Sequence, residues 1–96
     1  MKLRTLKDLL IDQLKDLYDA EEQLTKALPK MAKASTSLEL REAFQHHLGE
    51  TEGQIKRLRQ VFTKLGSKAE AKHCKAMEGL IKEGEEILKQ KSTANP

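Results

Sequence analysis

Four side chains in this sequence have the types and spacing to do chemistry together. Glu21 lies in "DAEEQ", and His47, Glu50 and Gln54 lie in "HHLGETEGQ". At about 100° per residue, His47, Glu50 and Gln54 fall at i, i+3 and i+7, on one ridge of a helix, where their ends can converge. On the same construction Glu21 lands among Leu14, Leu17, Leu24 and Leu28, while Glu22, His46 and Glu52 point elsewhere. A carboxylate on an apolar face is costly unless it is paired, hydrogen-bonded or bound to a metal. Carboxylate and imidazole donors suit iron or manganese better than soft metals. Two readings stay open at this level. Either the four side chains hold metal, or Glu21 pairs with a basic group while His47 and Gln54 complete an ordinary polar network.

The elements that must position them are helices. Leu6, Leu10, Leu14, Leu17, Leu24, Leu28 and Met31 recur at three- and four-residue steps, predicting a first helix from about Thr5 to Lys33. Thr5 with Asp8 has capping spacing, and Pro29 should kink the last turn. "KASTSLEL" is the connection. Thr36 and Glu39 have the spacing of a capping box, so a second helix starts near Ser37 and runs through Leu40, Phe44, Leu48, Ile55, Leu58, Val61, Phe62 and Leu65 to Gly66. So short a link between two long helices implies an antiparallel hairpin. "SKAEAKHCK" reads as loop. A third, shorter helix carries Met77, Leu80, Ile81, Ile87 and Leu88, needs the hairpin to pack on, and gives way to a flexible tail over 91–96.

Within the hairpin, Glu21 precedes the turn by about 15 residues and Glu50 follows it by about 14, so the two sit at nearly one height. Like charges that close need a cation, a shared proton or a basic neighbour. Inward Glu residues joined by a Glu/His pair are how ferritin-like bundles hold two metal ions. Gly49 and Gly53, four apart, strip one face of the second helix of side chains, which suits close approach by the third helix or a partner subunit.

Bulk properties narrow the classes. Ninety-six residues, 34% charged and 3% aromatic, fit one helical domain with an aliphatic core. The net charge of +3 is slight and its signs are interspersed, so "QIKRLRQ" reads as a solvated face and nucleic acid is not an expected partner. No apolar run reaches the roughly 20 residues a membrane span needs. One cysteine, Cys74, excludes an internal disulfide and, without a recognisable signal segment, points to the cytoplasm. His73 and Cys74 lack a second pair for zinc, and Tyr18 falls off the leucine stripe, as an interface or surface residue would.

"LKDLYDAEEQLTKALPKMAKASTS", "LREAFQHHLGETEGQIKRLRQVF" and "CKAMEGLIKEGEEIL" together resemble the YciE/YciF-like ferritin-like family across essentially the whole chain. The resemblance implies a ferritin-like helical fold, homo-oligomers, a link to stress response and a metal site, with Glu21 and Glu50 where the family's candidate carboxylates fall. Gly49 stands where members often carry Glu, and His can occupy the positions of Glu52 or Gln54 in the family, which departs from its ligand set. Members also continue into two further long helices, so the chain looks like an N-terminal half. We therefore expect an all-α partial ferritin-like domain over 1–96. Its hairpin and third helix would complete a four-helix bundle as a dimer. In it, Glu21, His47, Glu50 and Gln54 would bind iron, with manganese as a substitute. Oxidation of ferrous iron is the most that such a site implies enzymatically. The alternative is a metal-free helical interaction module.

Overall fold

The computed structural model describes residues 5–94, with side chains through residue 90, as three helices and their connections. Helix α1 spans Leu6–Ala34, α2 spans Leu38–Lys64 and α3 spans Lys75–Ala94. Thr5 starts α1 by accepting the Asp8 N–H at 3.0 Å. The helix runs through Pro29 to Ala34. Ser37, and not the expected Thr36, caps α2: its hydroxyl accepts the Leu40 N–H at 3.3 Å. The turn is fixed by the Ser35 hydroxyl donating to the Met31 carbonyl at 2.7 Å and by Arg41 donating to the Ser35 carbonyl at 3.1 Å. At the far end of α2, Gly66 takes φ +69°, while its N–H bonds the Thr63 carbonyl and the Ser67 N–H bonds the Phe62 carbonyl. Those two bonds satisfy carbonyls the helix leaves open, and only a left-handed residue permits them. α3 stays helical to Ala94, and residues 95 and 96 of the expected tail lie outside the described residues.

α1 and α2 form the expected hairpin around Ile11, Tyr18, Ile55, Leu58 and Phe62, with Leu14, Leu65 and Ala69 packed against them. Tyr18 is a core residue rather than a surface one: it is 7% exposed, its ring centroid lies 5.8 Å from that of Phe62, and its hydroxyl accepts from Arg59 Nε at 2.9 Å. Phe62 and Thr51 are wholly enclosed.

The third helix packs on α1 alone; among the described residues it makes no contact with α2. The segment before it follows α1 upward. Lys15 pairs with Glu70, the Lys72 ammonium grips both oxygens of Asp12 at 3.1 and 3.0 Å, and the Lys72 N–H adds a bond to the Lys15 carbonyl. Gly84 then meets Met31, whose terminal methyl lies 3.0 Å from where a β-carbon would stand. The close approach that a glycine permits is therefore this one. Gly49 has open space beside it and Gly53 meets only its own Arg57, so α3 is not the neighbour expected there.

α1 is thus the middle of a single row, α2–α1–α3, within an envelope of 56 × 22 × 15 Å. Its sides facing α2 and α3 are buried, but the leucine stripe lies between them and is half open: Leu6 is 85% exposed, Leu10 48% and Leu17 45%. Leu28 and Met31 of the expected stripe are buried, but Leu6, Leu10 and Leu17 are not, because two neighbours flank α1 and neither covers the arc where they lie.

Candidate functional site

Glu21 sits where the hairpin's open side exposes a groove of about 380 Å³ lined by Leu17, Glu21, Gln54, Arg57, Leu58 and Val61. With its amide turned so that Nε2 faces the carboxylate, Gln54 donates to the two Glu21 oxygens at 3.2 and 3.0 Å. Burial pushes the Glu21 carboxyl above its ordinary value, and the charge of His47 offsets only part of that. His47 is exposed, and its Nδ1 lies 3.2 Å from the hydroxyl of the enclosed Thr51 one turn on. Three of the four sequence-derived residues are therefore neighbours: Glu21 is bonded to Gln54 and feels His47.

Glu50 is not drawn into that group. Its carboxylate pairs with His46 at 3.0 Å on the exposed side of α2. Among the described residues no three His, Cys, Asp or Glu side chains converge tightly enough to hold a metal ion. One chain thus presents a partial donor set, comprising a half-buried carboxylate, an amide and a nearby imidazole. A carboxylate, an amide oxygen and an imidazole are donor types that suit a hard or borderline cation, with Arg57 on the same groove wall as a competing positive charge.

A second polar cluster holds α3 in place. Asp19 accepts the Cys74 N–H at 2.7 Å and the Gln23 amide at 2.6 Å, and the other Gln23 bond goes to the Cys74 carbonyl at 3.0 Å. Burial pushes the Asp19 carboxyl up, but those two hydrogen bonds and the charges of His73 and Lys26 outweigh it and leave the group below its ordinary value. Since α3 begins at Lys75, Asp19 satisfies an N–H that the helix start leaves unpaired and complements the positive end of its dipole. His73 bridges Asp19 at 3.7 Å and Glu78 at 3.2 Å. Sequence reading passed over Asp19 because its Cys74 and His73 partners lie more than fifty residues away. The one available signal was an acidic residue with no role on α1.

The helical fold is shared with known proteins. A family model described as a domain of unknown function (DUF892) matches residues 5–96. The chain belongs to that family. YciF of Escherichia coli (strain K12) is 45% identical over 89 residues, which cover 92% of this chain and 54% of YciF. Among solved structures, YcfI of Rhodopseudomonas palustris, assigned provisionally as a structural protein, is 49% identical with a TM-score of 0.84. The crystal structure of the E. coli stress protein YciF is 45% identical with a TM-score of 0.83. Each match covers 90% of this chain and 55% of the solved one, so the chain spans about half the length of these relatives. Family membership and the all-α helical fold expected from the sequence are thereby established. Among the described residues no helix is long and apolar enough to cross a membrane.

Proposed function

We propose that this chain is a stress-associated, ferritin-like protein that binds iron, or manganese in its place, at the Glu21 groove as a homo-oligomer in the cytoplasm. The observation that carries the reading is Glu21 itself: a half-buried carboxylate in a groove shared with Leu17, Leu58 and Val61, with both oxygens accepting from Gln54. Glu21, His47 and Gln54 are the residues that would hold the ion, and Glu50, one turn from His47, would join on leaving His46. A second copy would supply the remaining donors. When bound, iron in a carboxylate site of this kind supplies oxidation of the ferrous ion by dioxygen. YciF is described as a stress protein, and that description supports the same assignment for this chain.

The test is the metal content of the protein purified from iron-supplied cells, wild type against Glu21→Ala. The reading expects iron in the wild type and loss of most of it in the variant. Equal iron in both contradicts it. A second reading, a metal-free helix-docking module, is favoured by the exposure of Leu6, Leu10 and Leu17. Absorbance that grows in air on adding ferrous iron separates the two.

A further inference from the structure

Thr51 and Phe62 are the two side chains that the described residues enclose completely. Phe62 belongs in a core on apolar grounds. A threonine does not, since burying a hydroxyl costs free energy unless it is hydrogen-bonded. Valine has the same branched shape without that cost. Thr51 shares the buried face of α2 with Ile55, Leu58 and Phe62, where an aliphatic side chain would suit the position. Packing therefore gives no reason for the hydroxyl, and its one hydrogen bond must supply it.

That bond is an unusual one for a helical threonine. The Thr63 hydroxyl donates to the carbonyl one turn back, that of Arg59. Thr51 does not; among the described residues its hydroxyl has one partner, His47 Nδ1 at 3.2 Å. His47 is exposed and has no other hydrogen bond among the described residues. An exposed imidazole turns freely about its side-chain bonds, but this one is held from beneath by a group in the core. It is also the ring whose charge reaches Glu21. A hydroxyl both donates and accepts, so it can bond Nδ1 whichever ring nitrogen carries the proton. In either case Nδ1 is engaged, and Nε2 is the nitrogen left for anything bound beside Glu21.

We infer that Thr51 is a positioning residue: from inside the hairpin it fixes the His47 ring near Glu21, so that Nε2 is the nitrogen offered there. The purpose of that restraint rests on the metal reading, because a ligating imidazole is ordinarily oriented by a partner on its other nitrogen. The restraint itself rests on the core contact alone, so the two can fail separately.

Nuclear magnetic resonance of the isotopically labelled chain in excess chelator tests the restraint in wild type, Thr51→Val and Thr51→Ser. Three-bond couplings across the His47 Cα–Cβ bond should report one rotamer in wild type and Thr51→Ser, and an average over rotamers in Thr51→Val. Thr51→Val should nevertheless melt no lower than wild type, since the core loses only a buried hydroxyl and the exposed Nδ1 finds water instead. Calorimetric titration with manganese should then give Thr51→Val a dissociation constant at least about tenfold above wild type, and Thr51→Ser one within about threefold of it. A His47 ring equally ordered, or equally averaged, in wild type and Thr51→Val overturns the inference. So does a Thr51→Val chain that melts below wild type, or one that binds manganese as tightly. A ring that depends on Thr51 in a chain that takes up no manganese leaves the positioning intact and sinks the metal reading alone.

Discussion

At the scale of single residues, two carboxylates two positions apart on α1 have opposite fates. Glu21 is pushed up by burial, with the charge of His47 as a partial offset, so its ionisation opposes folding. Asp19 is burdened by burial too, but the Cys74 N–H, the Gln23 amide and nearby positive charge hold it down, so its ionisation favours folding. The signs follow from linkage. A raised carboxyl lowers stability as pH rises from the unfolded value, 4.5 for Glu21, through its folded value. A depressed one gives stability that is full above 3.8 for Asp19 and is lost as pH falls through its folded value. Thermal unfolding across the acid range should therefore show Asp19→Asn melting below wild type at neutral pH, with the gap closing in acid. Glu21→Gln should melt above wild type at neutral pH, with that gap also closing in acid. Parallel curves for wild type and both variants would contradict the assigned environments. Placement of Glu21 on the leucine side of α1 was legible from the leucines around it. The turning of Glu50 toward His46 was not, because an i, i+4 partner outside the stripe competes for the carboxylate.

At the scale of elements, the three helices and their order could be read from caps and periodicity, and Gly66 marked the end of α2 as expected. The cap of α2 was misplaced by one residue because Thr36 and Ser37 are adjacent cap candidates, and the Glu39 that gives Thr36 its box spacing does not decide between them. Ser37→Ala should cost about 1 kcal/mol, and Thr36→Ala should change stability by less than about 0.5 kcal/mol. Urea unfolding of the two variants checks this, and equal losses would contradict the cap. The wheel on α1 was misjudged for a different reason. It was centred on leucines, but α1 has two neighbours. Ile11 and Tyr18 turn toward α2, Ala27 and Met31 lie toward α3, and the leucines are left between. Which helix would take α3 was not legible, since the Asp12–Lys72 and Asp19–Cys74 contacts join residues 60 and 55 apart.

At the scale of the whole molecule, the chain is a row of helices with one charged side and one leucine side, matching about half the length of its relatives. A half-buried carboxylate at mid-height of that leucine side is difficult to account for by packing alone. It gains a purpose if a cation and a second layer meet it there. On the proposed reading, the donor set is partial in one chain because the groove that holds the Glu21–Gln54 pair is open. The most direct measurement is an anomalous-difference map from crystals grown with ferrous iron under nitrogen. The account predicts a peak within bonding distance of the Glu21 carboxylate, inside an interface between two chains. A map with no peak at Glu21, or with iron only at the exposed His46–Glu50 pair, would contradict it.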